Sequence, residues 1–369
     1  MRWNDRWTIA LLFACLICLL ATGTSLACTG LKLVGNDGTV VFVRTQEWGK
    51  FDLNPHITAY PRNTTFQATT PDDGKGIAWK SKYGFAGVLL MGRAINTGMN
   101  ETGLVGAMFF HKGFAEYAEY EPSTADISMA PSDLLAYILS NFATLEEVRK
   151  GVNKVRVVPV VDPALNAPFP LHGMITEPGG RSIVIEFKDG KAKIFDNPVG
   201  VITNNPTFDW QLTNLRNYGN LSNTPFKNTK WDDLEITPLA AGSGLLGLPG
   251  DFTSPSRFVR ATVFAQTARE TKGGEDTVQE AFRIMDSFNL PATQSEGSSG
   301  SGATVLPAGT QYTVLTDTKN RVIYYHTMFN RRVRKVDLKQ INFGKGMMRS
   351  IPLDAVRAQD IKEVTRKLR

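Results

Sequence analysis

Residues 28–44 have the sequence CTGLKLVGNDGTVVFVR, in which two apolar runs flank an Asn-Asp-Gly turn. Because Asn, Asp and Gly suit the tight turns of hairpins, the pattern predicts antiparallel strands over residues 28–34 and 39–43. The same pattern predicts hairpins over residues 181–196, around Lys188-Asp189-Gly190, and over residues 312–328, around residues 317–321. Paired strands are therefore expected at both ends of the chain.

The segments between these hairpins are predominantly helical in pattern. A capping box of Thr144 and Glu147 predicts one helix start, and Thr277 with Glu280 predicts another. Strands in hairpins with helices between them favour an α+β fold of antiparallel sheets over an alternating βαβ fold. The further predicted elements are a strand over residues 103–110 and helices over residues 133–142, 144–154, 256–270 and from Thr277 to a stop before Pro291.

Composition excludes several classes of protein. The chain has 369 residues, of which 42% are hydrophobic and 21% charged, so it is not a disordered chain, a collagen-like fibre or a coiled coil. The net charge of +6 comes largely from basic runs near the C-terminus, which we interpret as solvated surface, and no nucleic-acid partner is expected. The Gly-Ser-rich residues 296–302 are too few to separate domains and are predicted to form a surface loop. We expect one domain over residues 28–369.

The first 27 residues are typical of a secretory signal peptide. Arg2 and Arg6 precede an apolar run over residues 9–20, and Ser25 and Ala27 are the small residues that signal peptidase requires before Cys28. A run of twelve residues is too short to span a bilayer, which takes about 20. The protein is therefore predicted to be exported, to a periplasm or outside the cell, without a membrane span in its mature form. A lipoprotein anchored through Cys28 is the alternative, although that pattern favours Leu where Ser25 stands.

Signal removal leaves one cysteine, at the new N-terminus. Cys15 and Cys18 lie within the predicted signal peptide, so Cys28 is the single thiol of the mature chain and cannot form an internal disulfide. The free α-amine of such a residue has a pKa of about 7.7–8.0, near the value of about 8.5 for a thiol. One residue can therefore supply both a nucleophile and a base for acyl transfer.

Other chemistries find no support in the sequence. Phosphate-binding glycine loops and a His-Glu-x-x-His zinc motif are absent, and the four histidines are scattered singly. No cofactor and no metal are expected. The four histidines are His56, His111, His172 and His326.

Five segments carry a recognisable pattern: residues 28–31 with Arg44, 100–104, 197–212, 248–258 and 310–325. They resemble the choloylglycine hydrolase family, which contains bile salt hydrolases and penicillin V acylases. These are N-terminal-nucleophile hydrolases that act on linear amide C–N bonds, and the resemblance covers nearly the whole chain after residue 27. It implies an αββα sandwich, a small amphipathic N-acyl amide as substrate and a homotetramer.

The resemblance also assigns roles to individual residues. Cys28 is expected to be the nucleophile and Arg44 to lie beside its thiol. Asn204 is expected to donate a hydrogen bond to the oxyanion, in preference to Asn205, and Arg257 to steady the charge of the site or to orient Cys28. Without the resemblance, both arginines would be interpreted as surface residues, and Asn204 would equally suit a turn.

Two positions depart from the family pattern. Glu47 stands where many members have Asp, so its contact with the Cys28 amine needs a different geometry. Phe110 stands where bile salt hydrolases have Asn and penicillin V acylases have Tyr, so only a backbone N–H could serve the oxyanion there. Met108 and Phe110 are expected either to line an acyl pocket or to be plain core. Conjugated bile salts and penicillin V are the expected substrates, with N-acyl homoserine lactones as the alternative.

Overall fold

The computed structural model describes residues 28–49, 51–291, 306 and 309–368. The predicted signal peptide and the predicted loop over residues 296–302 lie outside the described residues. Strands are numbered β1 to β22 and helices α1 to α5 in chain order. None of the helices in the described ranges is long and apolar enough to cross a membrane.

The first of two large sheets carries the N-terminal hairpin. Its six strands pair antiparallel throughout, in the order β16-β1-β2-β19-β20-β21. β2 is longer than predicted because it continues beyond the apolar run, through the buried polar residues 44–47, to Trp48. These strands are β1 Cys28–Val34, β2 Val40–Trp48, β16 Val201–Ile202, β19 Gly309–Asp317, β20 Val322–Thr327 and β21 Arg334–Asp337.

The second large sheet has eight antiparallel strands in the order β15-β14-β13-β8-β7-β6-β3-β22. The predicted hairpin over residues 181–196 forms its β14–β15 edge. These strands are β3 His56–Tyr60, β6 Phe85–Leu90, β7 Ala94–Asn100, β8 Val105–Phe110, β13 Leu171–Thr176, β14 Ser182–Lys188, β15 Lys191–Asp196 and β22 Arg349–Pro352. Shorter pairs are β4 Thr65–Thr70 with β5 Gly74–Lys80, β9 Ser128–Met129 with β10 Arg156–Val157, β11 Val161–Asp162 with β12 Ala167–Pro168, and β17 Thr229–Trp231 with β18 Leu234–Ile236.

Helices cover the outer faces of both sheets. Helices α4 and α5 pack on the first sheet, against β1 and β2, and α1 packs on the second, against β7 and β8. The inner faces share one apolar core. The prediction of an αββα sandwich is therefore confirmed. The helices are α1 Leu134–Asn141, α2 Leu145–Val152, α3 Phe208–Asn214, α4 Ser254–Thr267 and α5 Glu275–Asp286.

Gly30 brings the two sheets close together beside Cys28. A Cβ atom at Gly30 would lie 2.7 Å from Cζ of Phe109 on the facing sheet, which is closer than carbon atoms approach. Glycine therefore allows the Phe109 ring to pack directly on β1, two residues from the thiol. β8 of the second sheet therefore lies directly against the start of β1.

The two predicted capping boxes have different outcomes. Thr144 and Glu147 form a complete box at the start of α2, as predicted. The second prediction is wrong, because α5 begins at Glu275 after Gly274, and Thr277 lies buried inside its first turn. The Thr277 hydroxyl pairs instead with that of Thr271 at 2.7 Å. Two acidic residues in the first turn, Glu275 and Asp276, complement the positive end of the helix dipole.

Candidate active site

Cys28 opens β1 and lies at the wall of a cavity between the two sheets. It pairs with Gln46 of β2, and only 2% of its surface is exposed. Its backbone nitrogen donates a hydrogen bond to Oδ1 of Asn204 at 2.8 Å. The thiol and the nitrogen of one residue are therefore both held in the interior, next to a space that a ligand could fill.

Strand β2 brings Arg44 into this interior. The side chain is fully buried, and its guanidinium donates to the Met108 carbonyl at 2.8 Å, to Oε1 of Gln46 at 2.5 Å and to Asn96. It also lies 4.6 Å from the centre of the Phe109 ring, a cation–π distance. Arg44 therefore links β2 to the facing sheet and places a positive charge near the Cys28 thiol.

Glu47 is buried beside Cys28 with one oxygen free. Its Oε1 accepts a hydrogen bond from the Thr310 hydroxyl at 2.8 Å, whereas Oε2 has no partner within the part of the chain that the structure describes. Burial raises the pKa of this carboxyl to about 7, against the lowering effects of the Thr45 hydroxyl and of Arg257. The hydrogen bond from the Cys28 nitrogen goes to Asn204, so the contact between Glu47 and the amine stays a prediction.

Asn204 follows β16 and contacts both sheets. Its Nδ2 donates to the Phe110 carbonyl at 2.8 Å, and its backbone N–H donates to Oγ of Ser254 at 2.9 Å. Nδ2 carries a second hydrogen, which has no partner in the described part of the chain and is available to a ligand. Asn205 points elsewhere, since its Nδ2 donates to the Lys112 carbonyl. Of the two asparagines weighed from the sequence, Asn204 is the one that the fold places at Cys28.

Arg257 of α4 ties the other site residues together. Its Nη1 donates to the Cys28 carbonyl at 2.5 Å and to the Thr29 hydroxyl at 2.9 Å, and its Nη2 donates to Oδ1 of Asn204 at 2.8 Å. Burial lowers its pKa to about 10, which leaves it charged at neutral pH. Arg257 thus fixes the main chain of Cys28 and the amide of Asn204 with one rigid group.

Opposing charges act on the Cys28 thiol. Burial raises its pKa, Arg44 and Arg257 lower it, and the Glu47 carboxylate raises it. A hydrogen bond from the Glu47 backbone N–H favours the thiolate. Burial outweighs the two arginines, so the thiol is protonated at neutral pH, and a reaction as the thiolate would need a base.

The cavity next to Cys28 is narrow and mostly apolar. It measures about 50 Å³ and includes Met108 and Phe110 in its wall. That this space holds an acyl group stays a prediction. The Trp48 ring meets Phe110 edge-on at 5.9 Å and closes one side. A wider groove of about 590 Å³ continues from it. The residues common to the walls of both are Met91, Ala94, Ile95, Ser132 and Phe169.

Two polar residues of this region were not expected from the sequence. Gln46 and Asn96 line the cavity and bond to each other at 3.0 Å, and both bond Arg44. Nothing in their sequence context marks them, apart from the position of Gln46 between Arg44 and Glu47. The interpretation of the histidines as isolated is wrong for two of them. The rings of His111 and His172 stack with centres 4.0 Å apart, because β8 and β13 are neighbours in the second sheet.

Comparison with known proteins agrees with this geometry. Residues 28–358 match the family model of linear amide C–N hydrolases, the choloylglycine hydrolase family. The chain is 32% identical to a bile salt hydrolase/transferase from Clostridium perfringens, over 85% of this chain and 93% of that protein. It is 26% identical to a penicillin V acylase from Pectobacterium atrosepticum, over 88% of this chain and 84% of that one.

Solved structures show the same relationship. A variant of conjugated bile acid hydrolase from Clostridium perfringens superposes with a TM-score of 0.76 at 28% identity, over 91% of this chain and all of that chain. Penicillin V acylase from Agrobacterium tumefaciens has the same fold, with a TM-score of 0.70 at 22% identity, over 89% and 92% of the two chains. The sandwich and the matched sequence together show that this chain belongs to the choloylglycine hydrolase family of linear amide C–N hydrolases.

Proposed function

We propose that the protein is an exported amide hydrolase whose mature N-terminal Cys28 is the nucleophile. The observation that carries this proposal is the placement of Cys28: the residue that signal cleavage would make N-terminal is also the one whose thiol lines the apolar cavity. Its nitrogen donates one hydrogen bond, to Asn204. A neutral α-amine would keep its lone pair free in that arrangement and could accept the thiol proton.

The chemistry follows from these positions. The α-amine takes the thiol proton, and the thiolate attacks the carbonyl carbon of the amide to form a C–S bond. The free Nδ2 hydrogen of Asn204 donates to the resulting oxyanion. The C–N bond then breaks, and the ammonium returns its proton to the leaving amine. Water, deprotonated by the same amine, attacks the thioester, and the C–S bond breaks to release the acid and restore Cys28.

The width of the cavity beside Cys28 affects which acyl groups the site could accept. Conjugated bile salts and penicillin V are the substrate classes that the relatives' names suggest. The narrow space beside Cys28 favours a slim acyl group, such as the phenoxyacetyl group of penicillin V, over a rigid four-ring steroid. An N-acyl homoserine lactone is the second candidate, because a straight acyl chain could follow the cavity into the adjoining groove.

A non-catalytic lipoprotein anchored through Cys28 is the alternative from another class. The burial of Cys28 argues against it, since a lipidated residue must present its acyl chains to a membrane. Mass spectrometry of the mature N-terminus distinguishes the two. A free cysteine amine supports the hydrolase, and a diacylglyceryl-modified Cys28 contradicts it.

A substrate panel tests the activity itself. Glycine- and taurine-conjugated bile salts, penicillin V and long-chain N-acyl homoserine lactones are assayed side by side with the mature protein and with Cys28→Ala. We expect the fastest hydrolysis with a slim acyl group and none by Cys28→Ala. The precursor that retains residues 1–27 should be inactive, because its Cys28 nitrogen is an amide and not a base. Full activity of either form would contradict the proposed mechanism.

A further inference from the structure

A buried group of ionisable side chains lies behind Asn204. His172 of β13 and Glu186 of β14 are both less than 5% exposed, and Nδ1 of His172 lies 3.5 Å from Oε1 of Glu186. On the other side of the ring, Nε2 of His172 lies 3.0 Å from the carbonyl oxygen of Thr203. The pair therefore contacts the residue that immediately precedes Asn204.

A count of hydrogens fixes the state of His172. A carbonyl oxygen only accepts, so Nε2 must carry the hydrogen that it donates to Thr203. Oε1 of Glu186 also accepts, from the backbone N–H of Phe208 at 2.8 Å. The facing atoms Nδ1 and Oε1 then need one shared proton between them, because two lone pairs would otherwise meet in a buried space. Glu186 thereby holds His172 with Nε2 as a donor toward Thr203.

The peptide between Thr203 and Asn204 is held from two sides. His172 binds the Thr203 carbonyl oxygen, and Ser254 of α4 accepts the hydrogen bond of the Asn204 N–H at 2.9 Å. We propose that His172, oriented by Glu186, is a positioning residue that sets the amide of Asn204 for the oxyanion. This inference rests on the proposed function, and it adds a role for two residues that touch neither Cys28 nor the cavity.

His111 completes the group but does not take part in this hold. Its ring is fully buried and stacks on His172 with planes 5° apart. Its Nε2 lies 3.8 Å from Oε1 of Glu186, beyond hydrogen-bond distance, and neither ring nitrogen has a hydrogen-bond partner among the described residues. Ring lone pairs lie in the ring planes, so those of two parallel stacked rings do not converge on one point. The arrangement therefore indicates that His111 packs against the proton-sharing pair of His172 and Glu186, and does not favour a metal site.

Two substitutions of His172 separate positioning from plain packing. The terminal NH₂ of glutamine in His172→Gln can replace Nε2 as the donor to Thr203, whereas the shorter His172→Asn cannot reach it. On the fastest amide of the panel we expect His172→Gln to keep kcat within about threefold, and His172→Asn to lose about tenfold or more in kcat with KM within about twofold. His111→Phe, which keeps a stacked ring, should leave both constants unchanged. Equal losses in His172→Gln and His172→Asn, or full activity of His172→Asn, would overturn the proposal.

A spectroscopic measurement decides the matter even if a variant fails to fold or no amide is hydrolysed. In ¹⁵N-histidine-labelled protein, the His172 signals are assigned by elimination, because His56→Gln, His111→Phe and His326→Gln each remove the signals of one other histidine. We expect Nε2 of His172 to be protonated at pH 7, and an unprotonated Nε2 would overturn the proposal. If the unsubstituted protein hydrolyses nothing in the panel while Nε2 is protonated, the proposed function fails and the proton arrangement stands.

Discussion

The buried carboxyl of Glu47 should make the stability of the protein depend on pH. Its folded pKa of about 7 exceeds the ordinary value of 4.5 because burial penalises the charged form. A raised pKa means that the folded state binds the proton more tightly than the unfolded state. The contribution to stability is therefore fully present below pH 4.5 and is lost as pH rises through 7.

The size of the effect follows from the two pKa values. At about 1.36 kcal/mol for each pH unit between them, the ionised Glu47 costs the folded state about 3 kcal/mol at pH 8.5. At pH 5 the same linkage costs less than about 1 kcal/mol. From pH 5 to 8.5 the free energy of unfolding should therefore fall by about 2.5 kcal/mol more in the natural protein than in Glu47→Gln.

Urea denaturation followed by tryptophan fluorescence measures this difference. The full-length protein, Glu47→Gln and Glu47→Asp, all with residues 1–27 retained, are compared at half-unit steps from pH 5 to 8.5. Glu47→Asp keeps a carboxyl at the position and should retain a fall with pH that Glu47→Gln lacks. Curves for the natural protein and Glu47→Gln that run parallel within about 0.5 kcal/mol would refute the assignment of a raised pKa to Glu47.

The remaining expectations concern the thiol and its surroundings. Cys28→Ser should keep the fold by circular dichroism but lose most turnover, and iodoacetamide should inactivate the natural protein in proportion to labelling of Cys28. Glu47→Gln should shift the pH profile of that labelling to lower pH, because the carboxylate raises the thiol pKa; an unchanged profile would contradict this. Arg257→Gln should lower kcat at least tenfold, since it removes the charged hydrogen bonds to Cys28 and Asn204, with Arg257→Lys as the control that retains charge. Phe110→Ala should lower kcat/KM about tenfold for an apolar acyl group by removing a cavity wall, whereas Phe110→Tyr should stay within about threefold.

The hairpins were the most predictable part of the fold, because their turns carry a chemical mark. Asp189-Gly190 adopts positive φ at both residues, as its composition suggests. The turn between β6 and β7 has a weaker mark, since Gly92 is the one residue there whose type suits positive φ and Met91 also occupies the left-handed region. β6 itself is buried at all six residues and shows no alternation. β6 and β7 were not predicted because neither the turn between them nor the hydrophobic pattern of β6 distinguishes them from other apolar segments.

The site residues also differ in how far the local sequence marks them. The chemistry proposed for Cys28 follows from its place after the predicted signal peptide, so the sequence suffices to nominate it. Arg257 is nearly inaccessible, contrary to what a lone arginine suggests, because its partners are main-chain and side-chain oxygens brought from elsewhere in the fold. Its contact with the Cys28 carbonyl joins residues 229 positions apart. Local pattern contains no information about such a partner, and only the family resemblance pointed to it.

The contacts of Asn204 differ from those of the cavity wall in the part that each would have in the proposed reaction. Its side chain meets Cys28 of β1, the Phe110 carbonyl of β8 and Arg257 of α4, and its backbone meets Ser254. In the proposed reaction, the hydrogen bond from its second Nδ2 hydrogen to the substrate oxygen becomes strong only when the oxyanion forms. A change that loosens any of these supports should therefore lower kcat and kcat/KM together. The cavity wall contacts the acyl group before and during the reaction, so changes there should appear mainly in KM. A matched set of variants at the two places can thus establish which side chains bind the substrate and which serve the transition state.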